Sequence, residues 1–210
     1  MAKPYDHVPD RRAIIHRRVL EESLAALIAD LPKRGEPPRP PVLALLRDAL
    51  AAGRAEIRRR FEAPGPLHND GPAVLAATSY LMDQLVRVIF DFADQRAYPA
   101  GNPSAAERLG VVATGGFGRG ELAPLSDLDL LFLRPYKQTP RGEQIVEYML
   151  YLLWDLGLKV GHATRTVDES LRYAERDQTI RTALLEARYL WGDRALYDDL
   201  VRGFAQKFHT

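Results

Sequence analysis

Two aspartates separated by one residue, Asp127 and Asp129, open the apolar run Asp127-Leu-Asp-Leu-Leu-Phe-Leu133. If that run is a strand, residues i and i+2 share a face, so the two carboxylates stand side by side while Leu128 and Leu130 point into a core. Like charges held that close repel unless a cation lies between them. Hard oxygen ligands of this kind suit Mg²⁺, and such ions can hold the attacking and leaving oxygens of an in-line displacement at phosphorus. Just upstream stands Gly115-Gly-Phe-Gly-Arg-Gly120. Gly115 and Gly116 would let the backbone approach a triphosphate with no Cβ in the way, and a helix starting there would add free N–H groups. Arg119 could grip phosphate through two parallel N–H donors, or could be an ordinary surface arginine. Ser126, next to Asp127, is a further candidate for nucleotide contact.

Other phosphate-binding patterns do not fit. No Gly-Lys-Ser/Thr follows the glycines, which excludes a P-loop. The third glycine of Gly116-Phe-Gly-Arg-Gly120 comes one residue too early for a dinucleotide or kinase glycine loop. There is no His-Glu-x-x-His. A turn, an Asp-x-Asp and a strand in one contiguous segment are far more specific together than any of them alone.

The segment Gly115-Gly-Phe-Gly-Arg-Gly-Glu-Leu-Ala-Pro-Leu-Ser-Asp-Leu-Asp-Leu-Leu131 resembles the nucleotidyltransferase signature of the superfamily that includes DNA polymerase β. More closely, it is similar to the bifunctional PII uridylyltransferase/uridylyl-removing family of bacterial nitrogen control. Leu153-Trp-Asp-Leu-Gly-Leu-Lys-Val-Gly-His-Ala-Thr-Arg-Thr166 and Leu185-Glu-Ala-Arg-Tyr-Leu-Trp-Gly-Asp193 resemble the same family, so the likeness spans about residues 109–197. The resemblance implies transfer of UMP from UTP to a tyrosine hydroxyl of the PII signalling protein, with release of pyrophosphate. It implies Mg²⁺ as cofactor, held by Asp127 and Asp129, with Gly115, Gly116 and Arg119 along the triphosphate. It also implies that the chain is the N-terminal portion of a longer protein, since nothing here matches the hydrolase and glutamine-sensing domains of larger members. Many superfamily members place a third carboxylate on the third strand. Here that strand reads Lys159-Val-Gly-His-Ala-Thr-Arg165, without an acid. His162 could stand in as proton acceptor, or be a hydrogen-bonded strand histidine. Arg165 could reach phosphate, or form a structural ion pair.

The elements that must position these groups follow from periodicity and punctuation. Apolar residues at helical spacing predict a helix over residues 10–31, followed by a proline-rich linker from Pro32 to Pro41. A second helix is expected from Val42 to Phe61, its end carrying Arg54, Arg58, Arg59 and Arg60, which suit a helix C-terminus. Asp70 is a plausible N-cap, with Pro72 in the first turn, for a third helix reaching about Arg96. Strands are expected at 109–114, 127–133 and 158–165, with a helix over 142–156 between the last two. Thr166 and Glu169 form a capping box for a helix over 167–176. Two more helices are expected over 178–191 and 193–207, with Gly192 as a C-terminal cap. The last shows no stop signal before Thr210, which predicts a longer parent chain. The expected fold is α+β: a polymerase-β-like nucleotidyltransferase core with a small mixed sheet, flanked by N-terminal and C-terminal helices. Residues 1–70 form a helical extension and residues 71–210 the nucleotidyltransferase domain.

Bulk properties narrow the function classes. The 210 residues are 46% hydrophobic and 27% charged, with 29 Lys+Arg against 28 Asp+Glu. A net charge of +1 supplies no global field for nucleic acid, so nucleic acid is not the expected partner. With no cysteine, thiolate chemistry and disulfides are excluded. No uncharged apolar run reaches the roughly 20 residues of a membrane span, and Met1 to Asp10 lacks a signal peptide's apolar stretch. A cytoplasmic protein is expected, without a membrane partner. Two alternatives to uridylyl transfer remain open: an adenylyltransferase acting on another protein, and a nucleotide-binding regulatory domain of the same fold with little or no turnover.

Overall fold

A computed structural model of the chain describes residues 5–29, 39–65, 67–102 and 104–208. Its centre is α4 (Gly71–Phe92), capped as expected by the Asp70 side chain, which accepts from Ala73 N–H. α4 is apolar on nearly every side because it is enclosed: α2 (Arg17–Ala29) and α3 (Arg39–Glu62) pack on it, and Ala77, Leu81, Leu85, Val86 and Ile89 are fully buried. With the π-helical turn Ala93–Ala97 it forms the one described stretch long and apolar enough to cross a membrane. Of its apolar window, 83% is buried inside the fold, the signature of a core helix.

The helix expected over 10–31 is divided. α1 (Arg11–Ile14) stops where Ile15 turns extended, which drops both Ile14 and Ile15 into the core, and α2 then starts at Arg17. α3 begins at Arg39, earlier than expected. Pro40 and Pro41 sit in its first turn, where the missing N–H costs nothing. The rest of the proline linker lies outside the described residues. Helices on both sides of residue 70 share one core with the sheet: Leu46 and Ile57 of α3, Leu81 and Leu85 of α4, and Val111, Leu130 and Phe132 belong to a single cluster.

The sheet has four strands in the order β3-β2-β1-β4. They are β1 (Gly110–Ala113), β2 (Leu128–Leu133), β3 (Val160–Arg165) and β4 (Arg188–Gly192). β1 runs antiparallel to both β2 and β4, while β2 and β3 are parallel, joined by the crossover helix α6 (Pro140–Asp155). This is the α+β architecture read from the sequence, with helices flanking a small mixed sheet. Leu128, Leu130 and Phe132 face the α4 side. Leu131 and Leu133 face a second, smaller cluster with Leu184 of α8 (Gln178–Leu185) and Leu196, Leu200 and Phe204 of α9 (Arg194–Phe208). Between β3 and α8, α7 (Val167–Arg176) begins with the expected capping box: Thr166 Oγ1 accepts from Glu169 N–H at 3.1 Å and Glu169 accepts from Thr166 N–H at 2.7 Å.

Two expectations need correction. The helix predicted over 178–191 ends at Leu185, and Arg188–Gly192 is instead the fourth strand. Nothing in Arg188-Tyr-Leu-Trp-Gly forbids a helix. The segment is drawn into the sheet by pairing with β1 and by a buried partner for Arg188 described below, so tertiary context overrides propensity. Gly192 is accordingly no helix cap. It ends β4 with φ +78°, and a Cβ there would lie 2.2 Å from the Leu109 carbonyl oxygen.

Candidate active site

The glycine turn is α5 (Gly115–Arg119), packed directly after β1. Thr114 N–H donates to the Asp129 carbonyl at 3.0 Å, which continues the β1–β2 ladder by one step and brings Gly115 over Asp129. Gly115 adopts φ +57°, and a Cβ on it would lie 3.1 Å from Asp129 Oδ2. Across the parallel ladder on the other side, Asp129 pairs with Gly161. A Cβ on Gly161 would lie only 2.6 Å from Asp129 Oδ1. The Asp129 carboxylate thus occupies a slot between two bare α-carbons. Its backbone is fixed by strands on both sides and its oxygens can turn outward.

Asp127 precedes β2 by one residue and is exposed. The Asp129 carboxyl is pushed above the usual carboxylate range, first by burial and then by the neighbouring Asp127 charge. Among the described residues neither carboxylate has an ion pair or a side-chain hydrogen bond. Two adjacent, uncompensated carboxylates, one cradled where no Cβ intrudes, fit a hard divalent cation such as Mg²⁺. Among the described residues no group of three or more His, Cys, Asp or Glu comes together.

The turn is anchored from beneath. A Cβ on Gly118 would meet the Glu186 carbonyl oxygen at 2.2 Å, so only glycine lets α5 lie on the α8–β4 connection. Arg188, the first residue of β4, donates to the Gly118 carbonyl at 3.0 Å and the Phe117 carbonyl at 2.9 Å, satisfying the end of α5. The same guanidinium makes a two-pronged contact to Asp83 of α4, at 2.6 and 3.0 Å. Asp83 is 0% exposed, which explains an acid in the middle of so apolar a helix. Ser79, one turn earlier on α4, accepts from Leu122 N–H at 3.0 Å and fixes the start of the loop leading to Asp127.

The other candidate residues divide. Arg119 sits beside the turn, but its guanidinium is engaged by Glu121 at 2.9 Å and Glu186 at 2.7 Å. Ser126 is exposed on the loop immediately before Asp127. Arg165 lies four residues past Gly161 on β3, about 13 Å at ordinary strand rise. Its guanidinium stacks 4.4 Å from the centroid of the Tyr173 ring rather than turning toward the carboxylates. His162 pairs with Leu130, not with Asp129, so it projects from the opposite face of the sheet and meets Trp154 edge-on, ring centroids 6.0 Å apart. The structure therefore does not bring His162 together with the Asp127–Asp129 pair, because one step along a strand reverses the side chain.

Sequence reasoning missed Gly161, Asp83, Arg188 and Ser79 as supports of the site. A glycine inside a strand signals close approach of another group, and a lone acid in an apolar helix signals a buried cationic partner. Both signals are present in the sequence, but neither names the partner.

No family model matches the chain. It is 54% identical over 198 residues, 94% of its length, to the bifunctional uridylyltransferase/uridylyl-removing enzyme of Azospirillum brasilense. It is 55% identical over 197 residues to the enzyme of the same name from Rhodospirillum rubrum, and 49% over 191 residues to that of Novosphingobium aromaticivorans. The chain spans about a fifth of the length of these relatives.

Proposed function

We propose, on the premise that this chain is homologous to a segment of the bifunctional uridylyltransferase/uridylyl-removing enzymes, that it carries their nucleotidyl-transfer site. The reaction is transfer of UMP from UTP to a tyrosine hydroxyl of a PII signalling protein. The tyrosine oxygen bonds to the α-phosphorus as the bond from that phosphorus to the β-phosphate oxygen breaks, and pyrophosphate leaves. The observation that carries this reading is the uncompensated Asp127–Asp129 pair beneath the glycine turn.

Asp127 and Asp129 would hold Mg²⁺, which when bound supplies charge neutralisation to the triphosphate. Gly115 and Gly116 stand in the first turn of α5, where N–H groups have no intrahelical acceptor and can donate to phosphate oxygens. Around Gly116 nothing would approach a Cβ closer than 3.8 Å, so the backbone is open on that side. Arg119 can contribute only by exchanging Glu121 or Glu186 for phosphate. Ser126 offers a hydroxyl beside Asp127. The acceptor's proton passes to a base other than His162.

Thermal unfolding with Mg²⁺ and each of UTP, ATP, CTP and GTP tests the site without needing the acceptor. A hundredfold excess of ligand over its dissociation constant should stabilise by about 2.7 kcal/mol, with the largest effect for UTP and none in Asp127→Ala. Incubation with PII protein should then release pyrophosphate and add one UMP to a tyrosine. A folded chain indifferent to all four nucleotides would sink the proposal.

One observation favours a second reading. No third carboxylate or histidine joins the pair among the described residues, which would suit a nucleotide-binding regulatory domain with little turnover. Mg²⁺-dependent UTP binding without pyrophosphate release in the presence of PII protein would select it.

A further inference from the structure

The arginines at the end of α3 have two different fates. Arg59 and Arg60 both engage Glu56, each at 2.7 Å, and Arg60 also donates to the Pro9 and Asp10 carbonyls. Among the described residues, Arg54 and Arg58 have neither an ion pair nor a hydrogen bond. Instead they border a cavity of about 520 Å³ between α3, α4 and the loop 122–126. Its walls are aliphatic and aromatic, including Ile57, Phe61, Val74, Met82 and Leu158. This volume falls within the range of small-molecule sites, about 300–1,000 Å³, which are mostly apolar with a few placed polar groups.

Leu125 on the cavity's loop wall takes φ +69°, a left-handed conformation unfavourable for leucine, and is 78% exposed. Phe61, on the α3 wall, is 36% exposed. An apolar ligand would cover both. One turn separates Arg54 from Arg58 on α3, so two like charges line one side of the cavity, and among the described lining residues Glu62 is the one acid beside them. An anion would relieve that repulsion, whereas a cation would add to it.

We propose that this cavity binds an amphipathic monoanion: a flexible apolar body the size of a medium-length acyl chain, lying on Ile57, Val74 and Met82, with one carboxylate between Arg54 and Arg58. The cavity adjoins the nucleotide site through Ser126 of its loop wall, but its body lies on the α4 side of β2, where Leu128 lines it, away from the face that carries Asp129. It does not depend on the nucleotidyl-transfer reading.

The probes are decanoate, decanol and decylammonium, each titrated below its micelle concentration into the folded chain by calorimetry. One decanoate per chain should bind saturably, at least tenfold tighter than decanol or decylammonium. Arg54→Ala/Arg58→Ala should weaken decanoate at least tenfold and leave decanol unchanged. Val74→Trp should block both. Arg59→Ala and Asp127→Ala should bind decanoate as the parent does. Three results would each overturn the site: no saturable decanoate binding, equal affinity for the three probes, or parent-like decanoate affinity in either the double-alanine or the tryptophan variant. Absence of Mg²⁺-dependent UTP binding by the parent chain, with decanoate binding intact, would count against the proposed function alone.

Discussion

Asp129 and Gly161 face each other across the β2–β3 ladder, and Asp129 Oδ1 stands 2.6 Å from where a Cβ on Gly161 would be. The glycine is therefore part of the carboxylate's seat. Gly161→Ala should displace the Asp129 side chain and weaken Mg²⁺-dependent UTP binding by about tenfold or more, on the order of 1.4 kcal/mol. The melting temperature without ligand should move by only a few degrees, since β3 is an edge strand. Calorimetric titration of UTP into the variant is the check, and parent-like affinity would show that the slot is incidental.

The Asp127–Asp129 pair is a place where function and stability oppose each other. Asp129 carries a burial penalty and the repulsion of Asp127. Asp129→Asn removes both, so the chain without metal should be at least as stable as the parent while losing Mg²⁺-dependent UTP binding. Denaturant unfolding with and without Mg²⁺ and UTP separates the two effects. A clearly destabilised Asn variant would mean that the carboxylate has a structural partner.

Arg188 ties α5 and β4 to α4 through a fully buried Asp83. Removing Arg188 would leave the buried Asp83 carboxylate to the longer Arg87 contact at 3.6 Å, and breaking a buried pair typically costs about 3–5 kcal/mol. Arg188→Ala should destabilise by about that amount, and Arg188→Lys should fail to restore it, because a single ammonium cannot serve both Asp83 and two carbonyls. Urea unfolding of the two variants measures this. A loss below about 1 kcal/mol would put the anchor elsewhere.

Tyr5 gives a pH signature. It is 2% exposed, and its hydroxyl is pushed up to about 12, first by burial and then by the charge of Asp83. A raised phenol contributes stability that is complete below the unfolded value of 10.0 and is lost as pH rises toward about 12. Over that interval the parent should lose on the order of 2 kcal/mol more than Tyr5→Phe. Unfolding curves taken at steps between those pH values would show parallel losses if Tyr5 titrated normally.

The chain's own order of residues determined a good part of this protein. Alternation in Asp127-Leu-Asp-Leu put two acids together and two leucines in the core, because a strand's side-chain period is fixed by its backbone. The caps at Asp70 and Thr166 were legible for the same local reason: an N-cap contacts residues only three places away. Long-range partners were not legible. That Arg188 belongs to a strand, that Gly161 makes room for Asp129, and that His162 turns from the site all depend on which strands pair and in which register. Register is a property of the assembled sheet. A shift of one residue would exchange Gly161 for His162 beside Asp129, and no local propensity distinguishes the two. Only burial of both sheet faces at once, against α4 on one side and α9 on the other, fixes it.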